Sequence, residues 1–213
     1  LHETPAVARQ GDRALVLPVP VAPSAANRQP RDIAAITYAA NPHKKGLDRV
    51  LEAWRGVRSE RGAGELVVAG ASVAELAHAG FPVAAEDGVR VVGALPTEEY
   101  RALVRRARLF VCAPRREDYG LAQLEALADG CLLVSTPAQG PYTALPIARS
   151  LDPRLVSEDL RGALRVALVD PPANYATRAR AALAPFSRKE TDRLVAQELL
   201  ARLPLDGTGK RET

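Results

Sequence analysis

Five apolar runs of strand length alternate with segments of helical periodicity, and this alternation constrains the fold more than any other feature of the sequence. In chain order the runs are IAAITYAA, ELVVAG, GVRVVGAL, LFVCAP and CLLVSTP. Strands that are apolar along their whole length are buried on both faces, which is typical of parallel sheets covered by helices. Right-handed crossovers between such strands predict an α/β fold with a Rossmann-like, doubly wound parallel sheet.

Apolar residues spaced three or four positions apart predict the helices. The apolar face of the first helix, in GLDRVLEAWRGVR, comprises Leu47, Val50, Leu51 and Trp54. Ser72 and Glu75 have the spacing of a capping box at the start of a short helix. We also predict helices in PTEEYRALVRRA, from the loop after LFVCAP to Ala128, and in three segments after residue 150, together with a short strand at Leu155.

The pattern divides the chain into three parts. In residues 1–30, the run ALVLPVPVAP is interrupted by prolines and predicts a short strand that leads into a linker. Residues 31–203 hold the strand and helix alternation and end in an amphipathic helix, SRKETDRLVAQELLARL. Its apolar face comprises Leu194, Val195, Leu199 and Leu203. Residues 204–213 are polar and glycine-containing, and we expect them to be a disordered tail.

Composition narrows the classes of partner. Aromatic residues make up 4% of the 213 residues, too few for the stacking platforms of nucleic-acid binding, so we expect no nucleic-acid partner. The net charge of +4 suits small anionic ligands, or peripheral contact with an anionic membrane surface. No run of about 18 apolar residues predicts a membrane span. Cys112 and Cys131 lie in apolar runs, which predicts buried free thiols in a reducing compartment, hence a cytoplasmic location.

Two polar loops follow predicted strands, where ligands bind in open parallel sheets. They are NPHKKG, after the first strand, and RREDYG, after the fourth. Neither contains the GxGxxG pattern or a P-loop, so the usual fingerprints of NAD and ATP sites are missing. No Cys/His cluster has the spacing of zinc ligands, and we expect no metal site and no cofactor.

The second loop can hold a diphosphate flanked by two sugars. Free N–H groups near Tyr119, Gly120 and Leu121 at a helix start would bind the diphosphate. Glu125 lies one turn further along the helix, where it could accept two vicinal hydroxyls of a ribose. Glu117 lies on the loop side and could accept hydroxyls of a second sugar. Taken alone, the same residues are equally compatible with a helix-start acid and a solvated helix face.

The order of these motifs resembles that of a known family. Residues from about 31 to 203 resemble the C-terminal, donor-binding domain of GT-B glycosyltransferases, in the large retaining family (group 1, family 4) that uses nucleotide-sugar donors. The resemblance rests on KKGLDRVLEAW, then ELVVAG, then VRVVGALPTEEYRALVRRARLFVCAPRREDYGLAQLEALADGCLLVST. The Glu-x7-Glu signature of the family falls on Glu117 and Glu125, and its Lys-Gly pair falls on Lys45 and Gly46.

The resemblance implies a role for each matched residue. Lys45 would bind the donor diphosphate, Glu125 the ribose and Glu117 the donor sugar, without an obligatory metal. The N–H groups of Gly120 and Leu121 would contact phosphate. Base selectivity would come from the strand ends VVGAL and CAPR. In TPAQGPY, only Gly140 matches a glycine-rich loop that the family often has near the donor.

The sequence departs from the family pattern at one cation. The family usually has Arg or Lys five residues before the Lys of its Lys-Gly pair, and this position is Ala40 here. His43, Lys44 and Arg116 are the candidates to replace that cation. We call these three residues and Gly140 the secondary candidates. The primary candidates are Lys45, Glu117, Tyr119, Gly120, Leu121 and Glu125.

The resemblance also implies a second domain. The acceptor site and the catalytic histidine of such enzymes lie in an N-terminal domain that this sequence does not contain, so no catalytic residue is assigned. Residues 1–30 would then be the interdomain linker and a remnant of that boundary. The glycan or lipid-linked acceptor would be held by the other domain, at the inner face of the membrane in the lipid-linked case. The alternatives are a non-catalytic nucleotide-sugar-binding module, a nucleotide-sugar epimerase of GT-B architecture, or an interaction protein, which would leave the ordered motifs unexplained.

Overall fold

A computed structural model of the chain describes residues 15–25, 30–61 and 64–202. Five parallel strands form one sheet in the order β3-β2-β1-β4-β5. The strands are β1 (Ile33–Tyr38), β2 (Leu66–Ala69), β3 (Val89–Gly93), β4 (Ala107–Cys112) and β5 (Leu132–Ser135). Four lie within the predicted apolar runs, and β4 begins two residues before the run LFVCAP, so the predicted α/β, Rossmann-like parallel sheet is confirmed.

Helices connect and cover the strands. In chain order they are α1 (Pro42–Lys45), α2 (Leu47–Arg61), α3 (Val73–His78), α4 (Thr97–Arg106), α5 (Leu121–Ala128), α6 (Ala144–Leu151), α7 (Leu160–Val169), α8 (Tyr175–Ala182) and α9 (Arg188–Leu194). The capping box predicted for α3 is present, because Ser72 and Glu75 exchange hydrogen bonds.

The core lies between the sheet and its helices. The predicted apolar face of α2 is fully buried. Burying side chains of this size stabilises the fold by about 1.5–3 kcal/mol each. α2 packs against β4 and α7, whereas α4 packs against β1 and β4. Strand β3, at the edge of the sheet, is only partly buried.

The direction in which successive strands are added to the sheet reverses at β1, although all strands run parallel. From β1 the chain proceeds through β2 to β3 at one edge, and then crosses back to β4 and β5 on the other side of β1. With right-handed crossovers, this reversal places the helices of the two halves on opposite faces of the sheet. The loops after β1 and β4 diverge at the reversal, which is where open α/β sheets bind ligands.

Two predicted strands are absent from the described part of the chain. Residues 15–25 form no strand, since Pro18, Pro20 and Pro23 have no N–H group to donate to a sheet. This segment is held by a hydrogen bond of 2.8 Å from the Val21 N–H to the Phe186 carbonyl. In place of a strand at Leu155 there is a 3₁₀ turn, with one isolated bridge between Ser135 and Val156.

Helix α6 was not predicted from the sequence, because it contains Pro146. This proline is the third residue of the helix, a position whose N–H has no acceptor within the helix. The predicted closing helix is present, but it is α-helical only as far as Leu194, where α9 ends. Residues Val195–Leu199 form a π-helical turn and Leu200–Arg202 a 3₁₀ turn.

The apolar face of the closing helix is partly exposed over the residues that the structure describes. Leu194, Val195 and Leu199 are half-buried, and Leu200 is 50% exposed. Leu203, the predicted tail 204–213 and most of the predicted segment 1–30 lie outside the described residues.

A tight backbone contact joins the loops after β1 and β4. Gly46 ends α1 with a left-handed φ of 63°. A Cβ atom added to it would lie 1.9 Å from the carbonyl oxygen of Ala113. The Arg115 N–H donates to the Lys44 carbonyl at 3.0 Å, and the Arg115 guanidinium pairs with Asp48 at 2.6 Å. These contacts fix the two candidate loops relative to each other.

We expect Gly46→Ala to lower the free energy of unfolding by more than about 3 kcal/mol, because strain at φ is added to a backbone clash. Gly80→Ala is the matched control, since Gly80 has a φ of 83° and open space around its Cα. That variant should lose only about 1–2 kcal/mol. Urea denaturation of both variants measures the difference, and equal losses would contradict the proposed contact.

Candidate functional site

A cleft of about 570 Å³ opens at the carboxyl ends of the strands, beside the point where the chain reverses. Its volume is in the range of small-molecule sites. The cleft is lined by Tyr38, Lys45, Ala69, Gly70, Ala94, Leu95, Thr97, Tyr100, Glu117, Asp118, Tyr119, Gly120, Leu121, Ala122 and Glu125.

All six primary candidates line this cleft, and none of the four secondary candidates does. His43 is exposed and packs edge-on against Phe81, with ring centroids 4.7 Å apart. Lys44 and Arg116 both contact Asp118, at 2.7 and 3.0 Å. None of the secondary candidates therefore lines the cleft, although Lys44 and Arg116 both contact its lining residue Asp118.

Gly140 has a structural position instead. Its φ is 99°, and an added Cβ atom would lie 2.4 Å from the Glu117 carbonyl oxygen. The Glu117 N–H donates to the Gln139 carbonyl at 3.0 Å, and the Tyr142 N–H donates to the Glu117 carbonyl at 3.2 Å. The loop after β5 thus supports the backbone of Glu117 from behind.

Glu117 is a buried carboxylate with two donors. Its Oε2 atom accepts from Lys45 Nζ at 2.7 Å and from Gln123 Nε2 at 3.0 Å. Among the described residues, no donor contacts the Oε1 atom. The pair with Lys45 compensates the cost of burying the charge. The arrangement leaves one carboxylate oxygen able to accept a hydroxyl group.

The start of α5 presents backbone donors to the cleft. Gly120 precedes the helix with a φ of 85°, and an added Cβ atom would lie 3.0 Å from the buried ring of Tyr142. No side chain caps this helix start. Within the described residues, the N–H groups of Leu121, Ala122 and Gln123 have no acceptor. Such a helix start attracts anions through its N–H groups and its dipole.

Glu125 lies one turn after this start and pairs with a buried arginine. Its Oε1 atom is 3.1 Å from Nη1 of Arg101, which also pairs with Asp129 at 2.8 Å. Burial raises the pKa of the Glu125 carboxyl above its ordinary value, against the opposing effect of Arg101. The neighbouring Asp129 raises the pKa further.

Sequence reasoning did not identify Gln123 or Arg101. Gln123 is buried inside α5, and nothing in the sequence relates its amide to Glu117. The sequence contains one indication of Arg101, namely that the acids Glu125 and Asp129 lie four residues apart. Such a pair repels on a helix surface unless a cation lies between the two carboxylates.

Of the two strand ends expected to determine base selectivity, one lines the cleft. Ala94 and Leu95, from the run VVGAL, line the cleft, but the CAPR segment does not. Tyr38 and Gly70 also line it, at the carboxyl ends of β1 and β2. They could have been found by applying the strand-end rule to every strand and not only to those followed by charged loops.

Cys112 and Cys131 are buried and free, as predicted. Burial raises the pKa of both thiols, that of Cys131 to about 11. Over the described ranges, no group of three or more His, Cys, Asp or Glu residues could hold a metal ion. No helix in the described part of the chain is long and apolar enough to cross a membrane.

Comparison with known proteins identifies the family. Residues 31–170 match the family described as Glycosyl transferases group 1, and the chain belongs to this family. No curated protein matches the chain significantly.

Solved structures share the fold at low sequence identity. WaaG, a glycosyltransferase involved in lipopolysaccharide biosynthesis, is similar with a TM-score of 0.63 at 19% identity, over 86% of this chain and 56% of that chain. AviGT4, a glycosyltransferase involved in avilamycin A biosynthesis, gives 0.64 at 21%, over 88% and 57%. The pneumococcal O-GlcNAc transferase GtfA, in complex with UDP and GlcNAc, gives 0.61 at 13%, over 86% and 38%.

The chain thus spans little more than half the length of two of these proteins, and less of the third. Its fold fits the C-terminal half of the GT-B architecture, as the resemblance implied.

The raised pKa of Glu125 gives the stability a defined pH dependence. The stabilising contribution of the protonated carboxyl is complete below its ordinary pKa of 4.5 and is lost as the pH rises through the raised value. Glu125→Gln mimics the protonated form. We therefore expect this variant to gain stability relative to the wild type between pH 4 and pH 7, as measured by denaturant unfolding.

Glu98→Gln, on the exposed surface of α4, is the control for the loss of a surface charge. A stability difference between Glu125→Gln and the wild type that shrinks as the pH rises would contradict the predicted sign.

Proposed function

We propose that the chain is the donor-binding half of a retaining glycosyltransferase, which moves a sugar from a nucleoside diphosphate sugar to an acceptor hydroxyl. One observation carries the proposal. A cation, a free helix start and two carboxylates line a single cleft, in the arrangement that a diphosphate between two sugars requires. The family membership and the structure of GtfA with UDP and GlcNAc support this interpretation.

The diphosphate would bind at the start of α5. The N–H groups of Leu121 and Ala122 would donate to phosphate oxygens, and Gly120 lets the ligand approach closely. Lys45 Nζ would remain paired with Glu117 and direct its other protons at the phosphates. During transfer, the same donors would stabilise the negative charge that develops on the leaving diphosphate. They would do so without an obligatory metal.

The two sugars would lie on opposite sides of the diphosphate. Glu125 would accept the ribose hydroxyls through Oε2, because Oε1 is paired with Arg101. Glu117 would accept hydroxyls of the donor sugar through Oε1. The base would lie toward Ala94 and Leu95, which line the same cleft.

The acceptor and the catalytic base belong, in this proposal, to the N-terminal domain that faces the cleft in a complete enzyme. Orientation of an acceptor by that domain can supply about 7–11 kcal/mol of the barrier. The acceptor would be a glycan or a lipid-linked glycan, and the site of action would be the cytoplasm or the inner face of the membrane.

A non-catalytic nucleotide-sugar-binding module is the second candidate, because Ala40 stands where the family usually has a cation and none of the secondary candidates lines the cleft. Nothing in the cleft favours an epimerase. Both lining glutamates are held in ion pairs with basic side chains. Transfer activity of a protein that includes the acceptor domain would separate the enzyme from the module.

A thermal-shift screen of UDP, GDP, ADP and their sugars tests donor binding. A ligand at one hundred times its Kd stabilises the folded state by about 2.7 kcal/mol. For a domain of this size the melting temperature would rise by roughly 5–10 °C. Absence of a shift with every nucleotide at millimolar concentration would refute the proposal.

Glu117→Gln should weaken binding of the nucleotide sugar selected by the screen more than binding of its parent nucleoside diphosphate. The loss of a charged acceptor predicts about 1.5–3 kcal/mol, or more than tenfold in Kd, for the sugar-specific part. Calorimetry with both ligands measures it. Asp118→Asn, which removes the neighbouring carboxylate, is the control, and equal losses of both ligands in Glu117→Gln would exclude a sugar-side role.

Lys45→Ala should weaken binding of the nucleoside diphosphate by about 1.5–3 kcal/mol and leave binding of the uncharged nucleoside nearly unchanged. Lys44→Ala is the matched control, because Lys44 does not line the cleft and its side chain pairs with Asp118 instead of Glu117. Isothermal titration of both variants decides between them. A larger effect of Lys44→Ala would mean that Lys44, and not Lys45, binds the diphosphate. No effect of either substitution would mean that the start of α5 alone binds it.

A further inference from the structure

Arg101 is a buried arginine that contacts three groups at the donor cleft. Its side chain is only 10% exposed. Nη1 lies 3.1 Å from Glu125 Oε1, Nε donates to Asp129 Oδ2 at 2.8 Å, and Nη2 donates to the Ala22 carbonyl at 3.0 Å. Glu125 belongs to α5, Asp129 is the C-cap of that helix, and Ala22 belongs to the segment that precedes the sheet.

We propose that Arg101 is a positioning residue for the donor, which fixes Glu125 in the orientation that receives the ribose hydroxyls. This inference rests on the proposed function, because it concerns the carboxylate to which that function assigns the ribose.

The guanidinium is itself held in place. Asp129, its partner on one side, accepts from Ser24 N at 2.7 Å and from Ser24 Oγ at 2.9 Å. The Ala22 carbonyl holds the other side of the fork. Because the fork is planar and rigid, fixing two of its nitrogens also fixes the direction in which Nη1 points at Glu125. A lysine has one point charge and cannot bridge all three groups.

Fixing Glu125 before the ligand arrives has an energetic consequence. A long, free carboxylate side chain would lose rotamer freedom when it bound a ribose, and that loss would weaken binding. The ion pair to Oε1 removes part of this freedom in advance. Glu125 lines the cleft, and its other oxygen, Oε2, would accept the hydroxyls.

The charge of Glu125 also depends on Arg101. Among the described residues, the titratable groups that face Glu125 are Arg101 and Tyr100 from α4 and Asp129 at the C-cap of α5. Burial and Asp129 raise the pKa of Glu125, and Arg101 lowers it. Without Arg101 the carboxyl would protonate at a higher pH. A protonated carboxyl accepts hydroxyl protons less well than a carboxylate.

The test compares a ribonucleotide with its 2′-deoxy analogue on the full chain. UDP, GDP and ADP are titrated by calorimetry, and the one that binds is compared with dUDP, dGDP or dADP. We expect Arg101→Lys to weaken ribonucleotide binding about tenfold, as for the loss of a charge-assisted contact, and to change deoxynucleotide binding less than twofold. In a Glu125→Gln background, the same substitution should have little further effect.

Arg105→Lys is the matched control, since Arg105 lies on the same helix and donates to Ser24 Oγ without contacting Glu125. Arg101→Gln supplies a second readout. The acid limb of its binding profile should move to higher pH, whereas Arg101→Lys, which keeps the charge, should restore the limb toward that of the wild type.

The outcomes separate the inference from the proposed function. Equal weakening of ribo- and deoxynucleotide binding in Arg101→Lys would mean a purely structural role and would overturn the inference alone. Equal binding of the two nucleotides by the wild type would remove the ribose role of Glu125. Failure of the wild type to bind any of the three nucleotides would overturn the proposed function and the inference with it.

Discussion

The close approach of Gly46 to the carbonyl of Ala113 is the contact on which the cleft depends. It joins the loop after β1 to the loop after β4, at the point where the direction of the chain reverses. Neither strand alone could make a site, because Lys45 follows one and Glu117 the other. A side chain at Gly46 would separate the loops, and the 2.7 Å contact between Lys45 and Glu117 could not form. The geometry of the sheet and a single missing Cβ atom thus bring the charged groups together.

The cleft holds its charges in pairs before any ligand binds. Glu117 pairs with Lys45, and Glu125 pairs with Arg101, which also neutralises Asp129. A buried carboxylate without such a partner would be costly or would take up a proton. In each pair one carboxylate oxygen contacts the basic side chain, and the second oxygen would accept hydroxyl groups in the proposed function. The helix start between them has no side-chain cap, and such a start attracts anions. In the proposed function the two ion pairs therefore preorganise the glutamates, so that the ligand can bind without breaking a protein contact.

Local patterns predicted most of the fold and the main residues of the cleft. Apolar runs and helical spacing report burial, so the five strands and the α2 face could be predicted, and the Glu-x7-Glu spacing placed both glutamates. Contacts between residues distant in the sequence could not be predicted. The side chain of Arg101, on α4, contacts Glu125 and Asp129 only in the folded structure, and Gly140 supports Glu117 only through a loop conformation. The predicted strand before residue 25 failed because prolines break sheet pairing whatever the hydrophobicity. Lys44 and Arg116 looked suitable for a phosphate, but an exposed aspartate, Asp118, contacts both.

A crystal structure of the chain with the nucleoside diphosphate that binds best would test the central claim most directly. We expect the phosphate oxygens within hydrogen-bond distance of the Leu121 and Ala122 N–H groups and of Lys45 Nζ. The ribose hydroxyls should contact Glu125 Oε2 while Oε1 stays with Arg101. A nucleotide bound in the same cleft with its ribose remote from Glu125, or with its phosphates away from the start of α5, would contradict the account.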